Sequence, residues 1–315
     1  MRKSLIILAM ACILLAGSAY VFIPGILIVS KVKFVHCLPN SVFRILADEN
    51  KWKTWFPFEK KDSPILVYNE DTFHVGKKVP LTVQVLISRK DNRQLETLIT
   101  ILNLPGDSSI IQWQCELHAG LNPVKRFLQY LYAKSIKNDM KELLDQFAPL
   151  IENRDQVYGV HIEITSSSDT ILMAKQAILN NYPSTAVEYG LIGEIRKYIS
   201  RHQSKETGYP IMNIKQLDSG RYSITVAVPM DKTLPDLRQI KKDGFSQQRL
   251  VPGHFVTARF TGGDSTIQEV FRQIRFYRLD FSKVPVAIPF QSLITERINE
   301  PDTSKWITKI YAPVY

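Results

Sequence analysis

The sequence ends on a pattern it has already used once. Tyr222-Ser223-Ile224-Thr225-Val226-Ala227-Val228-Pro229 and Trp306-Ile307-Thr308-Lys309-Ile310-Tyr311-Ala312-Pro313 both run from an aromatic residue through a strand-length stretch to a proline. Turn chemistry precedes each, as Asp218-Ser219-Gly220 and Pro301-Asp302-Thr303-Ser304. Before each turn lies a strand opened by a proline, Pro210 to Gln216 and Pro289 to Arg297. A helix comes before that strand: Thr185 to His202, with Val187, Leu191, Ile195, Tyr198 and Ile199 on one side, and Ser265 to Asp280, with Ile267, Val270, Phe271 and Ile274. These spacings are those of helices with one apolar face. Each copy opens on a strand, Tyr158 to Thr165 and Gly253 to Thr261, and the segment Asp169 to Pro183 has no place in this scheme.

A strand–helix–strand–strand unit taken twice predicts a sheet with helices on one face and an approximate internal twofold. The pseudo-repeats run from about 156 to 233 and from 250 to 315 within a domain spanning 156–315. A groove is expected where the halves meet. Tyr222 and Trp306, as symmetric aromatics, are its candidate lining; they serve equally well as core or strand-edge residues.

The ending Trp306 to Val314, preceded by Glu300-Pro301-Asp302, together with Gly253-His254-Phe255 and Gly262-Gly263, resembles the gyrase-inhibitor-like family. That family includes the effector-binding domains of bacterial multidrug-sensing activators. The resemblance implies a groove for small hydrophobic, often aromatic or cationic, molecules. It also implies a glutamate on the penultimate strand, commonly within Glu-x-Tyr. Glu296 is the only carboxylate in Phe290 to Ile298, and Arg297-Ile298 follow it where the aromatic should stand. The family position falls alternatively at Ser292. Strand alternation would put Ser292, Ile294, Glu296 and Ile298 on one face. Glu296 in an aromatic groove would bind cations, or act as the general acid or base of a hydrolase if its pKa were raised; as a surface residue it would pair with a neighbouring base. Without the aromatic partner, binding is the favoured reading, and an enzyme using Glu296 the alternative. A scaffold with collapsed pockets is the third reading.

The first domain, residues 31–153, has a different grammar. A strand, Lys33 to Leu38, runs into Pro39-Asn40-Ser41, a helix start followed by Val42, Phe43, Ile45 and Leu46. Trp52, Trp55, Phe56 and Phe58 come next, then apolar runs Val79 to Ser88, Leu95 to Leu102 and Ser109 to Leu117 that read as an antiparallel meander. Asn122 as N-cap and Pro123 at the first helical position open a long helix to about Glu152. Its apolar positions are Val124, Phe127, Leu131, Met140, Leu143, Phe147 and Leu150. Such a helix laid on a curved sheet leaves either a cavity or a filled core, and Trp55 is a candidate for contacting a ligand or for packing.

Leu38 to Phe43, then Asp48, Trp52 and Trp55-Phe56-Pro57, and later Ile111-Gln112-Trp113 leading into Asn122-Pro123, resemble the START-like superfamily of polyketide cyclases and lipid-transfer domains. The resemblance implies a helix-grip fold with a pocket under the long helix, and carries no catalytic residue over. It also implies that the first and last strands pair, which would bring Cys37 near Cys115 as a disulfide if the domain lies outside the cytoplasm.

The N-terminus is the remaining feature. Arg2 and Lys3 precede an uncharged stretch, Ser4 to Ser30, ended by Lys31 and Lys33. As a helix it would reach about 40 Å, against a hydrocarbon core of about 30 Å. A cleaved signal peptide competes, but apolar character resumes at Tyr20 to Ile23 and Ile26 to Val29, favouring a single-pass anchor over residues 1–30 with the domains outside the cytoplasm.

The net charge of +10 is spread: 17 Lys/Arg stand against 14 Asp/Glu over 31–153, and 21 against 16 over 154–315. Without a basic block, no nucleic-acid partner is expected. The three cysteines form no C-x-x-C pair and the histidines stand singly, so no metal or other cofactor is expected. Nucleotide-binding loops, nucleophile elbows and zinc-protease motifs are absent. The fold class expected is α+β: an N-terminal transmembrane helix, a helix-grip domain, then a duplicated ligand-binding domain.

Overall fold

A computed structural model describes residues 10, 17–57, 65–89, 93–218 and 220–315. They divide into two compact units, Met1–Val157 and Tyr158–Tyr315. Phe58, Cys12, Ser219 and the start of the expected anchor lie outside the described residues.

In the first unit the meander forms as its alternation dictates. β1 (Ile26–Val35), β2 (Leu66–Tyr68), β3 (Asp71–Val79), β4 (Thr82–Ser88), β5 (Gln94–Leu104) and β6 (Ser108–His118) make one antiparallel sheet in the order β1-β6-β5-β4-β3-β2. The single strand expected over Val79 to Ser88 is broken. Pro80 has no N–H to give a ladder, Leu81 takes a φ of 60°, and the chain turns back there, so β3 and β4 pair as a hairpin. After α2 (Pro39–Leu46) and α3 (Glu49–Trp52), Trp52 is fully buried and its Nε1 donates to the Leu46 carbonyl at 2.8 Å. Trp113 donates to Thr97 Oγ1 at 2.8 Å and meets Trp52 and Phe73 edge-on, with ring centroids 6.4 and 6.3 Å apart. α4 (Pro123–Glu152) starts where expected: Asn122 Oδ1 accepts from the N–H groups of Val124 and Lys125 at 3.0 and 3.1 Å.

Three further expectations change in this unit. Ile26 to Ser30, read as the end of an anchor helix, belong to β1, which therefore begins well before Lys33. Residues 17–22 are helical (α1), and among the described residues no helix is long and apolar enough to cross a membrane. The apolar face of α4 is buried only in its second half. Met140, Leu143 and Phe147 sit in the core, while Val124, Phe127 and Leu131 are 67, 51 and 45 % exposed.

The third change concerns the cysteines. β1 does pair with β6, but the register sets Cys115 opposite Val29. Cys37 lies past the other end of the ladder, where its carbonyl accepts from Ser109 Oγ at 2.6 Å. Six residues separate Ser109 from Cys115, about 20 Å along a strand, whereas a disulfide needs Cα atoms within about 7 Å. No disulfide joins the two. Burial pushes the Cys115 thiol up to about 12. Unreduced native protein is expected to label at half-buried Cys37 and not at Cys115, and denatured protein to label at both. Recovery of a peptide linked through the two cysteines would refute the register.

The second unit holds β7 (Ile162–Ser167), β8 (Thr170–Leu179), α6 (Thr185–Arg201), β9 (Ile211–Gln216), β10 (Tyr222–Met230), α7 (Leu237–Lys242), β11 (Ser246–Leu250), β12 (Gly253–Thr261), α8 (Asp264–Asp280), β13 (Phe290–Leu293) and β14 (Ile307–Val314), after the short α5 (Arg154–Tyr158) at the boundary. The strands form one antiparallel sheet, β11-β8-β10-β9-β13-β14-β12-β7. The repeat is fuller than the sequence scheme. The segment Asp169 to Pro183 supplies β8, which pairs with β10 as β12 pairs with β14. So β8, and not the stretch from Tyr158, is the counterpart of β12. The counterpart of β7 is β11, and each copy is strand–strand–helix–strand–strand.

The two outer strands are exchanged between copies: β7 pairs with β12, and β11 with β8. β7 and β8 are joined by two residues, Ser168 and Asp169, yet stand six places apart in the sheet. Flat, six strand spacings would be about 29 Å, and the three steps from Ser167 to Thr170 span at most about 11 Å. The sheet must curl to bring the end of β7 beside the start of β8. α6 packs on β8 and β10, and α8 on β12 and β14.

Candidate ligand-binding groove

Strand parity assigns the two faces. Ile224, Val226, Val228 and Met230 of β10 join Met212 and Met173 in the core under α6, with Ile192 and Ile195. The alternate residues of β10, Thr225, Ala227 and Pro229, therefore point away from the helices, into the curl. Ala227 there meets Leu172 and Ala174 of β8, with Ile211 and Leu250 beside them.

The two halves furnish this face differently. Pro229 and Pro313 end equivalent strands, so Ala227 corresponds to Tyr311. Ala227 pairs with Ile211 and Tyr311 with Phe290, and across the outer pairing Pro229 faces Leu172 as Pro313 faces Phe255. The second half thus holds Tyr311, Phe290 and Phe255 where the first half holds Ala227, Ile211 and Leu172. Tyr311 and Phe290 are stacked, with centroids 5.2 Å apart and planes 11° from parallel, and Phe255 meets both edge-on at 5.8 and 6.2 Å. The smaller first half leaves space open. A cavity of about 290 Å³ runs over Ala227, Thr225 and Ile211 to Phe290 and Pro313. A larger one, about 650 Å³, reaches from the β7–β8 link past Ile211 to Phe290, Ser292 and Tyr311.

Polar groups gather toward the β7–β8 link, where Ser166, Ser167, Ser168, Asp169 and Thr170 line the larger cavity together with Thr207 and Asp231. Lys309, beside Ser292 in the ladder, donates to Glu163 Oε1 at 3.0 Å and lies 5.4 Å from the Tyr311 ring centre. The hydrogen bond from Lys309 holds the Glu163 carboxyl below its ordinary range. Asp169, in the link that closes the curl, is chelated by Arg249 of β11, which holds its carboxyl low as well. The site is an aromatic wall facing an aliphatic one, rimmed by paired charges.

Of the residues singled out from sequence, Ser292 is in this groove and the others are not. Tyr222 has the parity of Ile224 and Val226, the helix side, and meets Tyr182 edge-on at 5.5 Å. Trp306 has the parity of Thr308 and Ile310; it is buried, donates to the Glu300 carbonyl at 2.8 Å, and lies under Arg297. The two are not neighbours. Val226, Met212, Gln291 and Ile310 form one row across the sheet. Tyr222 lies four residues off that row in one direction and Trp306 four in the other, about 27 Å apart along the strands. Trp55 packs in the first unit against Trp52 and Phe147, each at 4.8 Å.

Glu296 is displaced because its strand stops early. β13 ends at Leu293, and the chain crosses toward α6 and forms a 3-10 turn at Arg297–Asn299. Two contacts pull it there. Arg297 N–H donates to Tyr189 Oη at 2.7 Å, and Tyr189 donates to the Thr295 carbonyl at 3.1 Å. Glu296 then receives Arg196 of α6 at 2.8 and 3.4 Å, and Arg196 also binds Glu206. Beneath this turn lies a buried ion pair. Arg297 Nη1 is 3.6 Å from Glu188 Oε2, and its Nη2 donates to Gln291 and Thr308. Burial pushes the Glu188 carboxyl up to about 7, against the pull of Arg297. The groove aromatics Phe255, Phe290 and Tyr311 were readable only through parity, as residues on the strand face opposite the one that Ile224, Val226 and Val228 turn to the helices.

No family model matches the chain, and no curated protein does. Solved structures resemble about half of it. The C-terminal domain of EcmrR is 15 % identical with a TM-score of 0.42, covering 50 % of this chain and 98 % of that one. SAV2435 bound to tetraphenylphosphonium is 16 % identical with a TM-score of 0.32, covering 49 and 94 %. A hydrolase from Listeria innocua is 9 % identical with a TM-score of 0.38, covering 49 and 91 %.

Proposed function

We propose that the second unit binds small aromatic or amphipathic molecules in the curl of its sheet. The observation that carries this reading is the asymmetry of the repeat: small aliphatic side chains stand opposite Tyr311, Phe290 and Phe255, and the space between them is open. Apolar burial supplies the affinity, and an aromatic guest gains edge or stacking contacts with the wall. The resemblance of the C-terminal sequence to gyrase-inhibitor-like proteins supports the same reading. Glu296 has no part in it, being engaged by Arg196 outside the groove, which removes the motive for a hydrolase built on that residue. The uncharged run from Ser4 supports attachment of the chain at a membrane; release of the protein by alkaline carbonate washing would contradict that attachment.

The binding reading is tested with N-phenyl-1-naphthylamine, an uncharged aromatic probe that fluoresces in apolar surroundings. Tyr311→Ala is expected to weaken its binding to the second unit about tenfold, the scale of one lost aromatic contact plus its buried area. Glu296→Gln is expected to leave it within twofold. The opposite pattern, with Glu296 decisive and Tyr311 indifferent, would move the site to the helix side.

A further inference from the structure

The first half of α4 shows an apolar stripe to solvent, and it is not alone. Val124, Phe127, Leu128 and Leu131 recur at helical spacing and all are exposed. Leu121, just before the N-cap, is 86 % exposed, and Val21 and Phe22 of α1 are 79 and 81 % exposed. These belong to one surface. Tyr20 Oη donates to the Leu121 carbonyl, Arg126 Nε donates to the Ile23 carbonyl at 2.7 Å, and the Ala119 N–H donates to the Gly25 carbonyl at 2.9 Å. Together they fix α1 against the foot of α4. A contiguous exposed patch of this kind marks a contact surface.

Its chemistry is more specific than apolarity. Against the stripe opens a cavity of about 760 Å³ that shares Leu121, Leu128 and Leu131 with it. The charged and titratable groups lining the cavity include Arg89, Arg93, Lys125 and His118, with no carboxylate among the described lining residues. The Arg89 guanidinium lies 3.7 Å from the Tyr132 ring centre, and the floor includes Asn122, where α4 presents its positive end. Exposed leucine and phenylalanine beside a hollow that holds Arg89, Arg93 and Lys125 is the pattern of a surface that meets lipid chains and anionic headgroups together. The chain also reaches α1 directly from the uncharged run Leu5 to Leu15, a sequence that a bilayer accommodates and an aqueous protein partner does not require.

We propose that this face of the first unit rests on an anionic phospholipid bilayer. Leu121, Val124, Phe127 and Leu128, with Phe22, enter the interface, and a headgroup phosphate sits between Arg89 and Lys125. The proposal is independent of the groove in the second unit. The test uses the full chain carrying Leu128→Trp, mixed with phosphatidylglycerol vesicles whose acyl chains are brominated. The fluorescence that this substitution adds to the parent chain is expected to fall at least twofold relative to unbrominated vesicles. Val79→Trp, at the opposite end of the sheet from Arg89, should keep its added signal. Introducing Arg89→Glu and Lys125→Glu alongside Leu128→Trp should abolish most of the quenching, as should replacing the lipid by phosphatidylcholine. Quenching that is absent, or equal in the two lipids, or indifferent to the charge reversals, overturns the proposal; so does a dimer in which a second copy shields position 128 in the presence of vesicles.

Discussion

Arg297→Met is expected to cost about 3–5 kcal/mol of unfolding free energy at pH 8, the range for removing one partner of a buried ion pair. Arg297 is 2 % exposed and holds four things at once: Glu188, Gln291, Thr308 and the face of Trp306. Methionine fills part of the volume but leaves Glu188 buried with no cation, near the like charge of Asp264. The loss should depend on pH in a stated direction. Glu188 in the folded protein already titrates at about 7, above its ordinary 4.5. A carboxyl raised on folding contributes stability that is fully present below the unfolded pKa and is lost as pH rises through the folded one. Without Arg297 the folded value climbs further, so the penalty grows above pH 7 and shrinks near pH 5, where the buried group carries its proton. Urea unfolding at pH 5 and pH 8 measures this. An equal loss at the two pH values would mean that the packing of the 3-10 turn, and not the charge, sets the cost.

The same arginine explains why the sequence misled at Glu296. Alternation from Phe290 to Ile298 reads as one strand, and nothing local says otherwise. The strand stops because Arg297 and Tyr189, more than a hundred residues apart, draw the chain to the helix side. Long-range pairing also hid β8. Its kinship with β12 lies in which strands they adjoin, since Thr170 to Leu179 and Gly253 to Thr261 share no residue pattern strong enough to align. The strands with Tyr222 and Trp306 were legible because aromatic, turn and proline fall in register. They also pointed to the wrong face: the conspicuous aromatics stand at the strand starts on the helix side, while Tyr311 sits inside the second copy of the motif, one parity away. In α4, cap and period were readable, but the sequence does not say that the sheet covers only the half beyond Ala133.

The internal symmetry supplies the sharpest test of the groove. Ala227 and Tyr311 occupy equivalent positions, so the backbone of this fold already accepts a tyrosine there. Ala227→Tyr should therefore fold, at a cost within the roughly 1–3 kcal/mol of added bulk against a packed surface, because Leu172 and Ala174 must give way. The new ring would project into the 290 Å³ cavity toward Phe290 and Pro313, the space assigned to the ligand. Binding of N-phenyl-1-naphthylamine to the second unit is then expected to weaken at least a hundredfold, since a guest denied the cavity loses its apolar burial and its wall contacts together. Ala227→Ser, which adds one small polar atom, should stay within about threefold of the parent, as expected if volume rather than polarity decides. Should Ala227→Tyr fold and bind as tightly as the parent, the asymmetry of the two halves would be a packing accident and the ligand would belong elsewhere on the sheet.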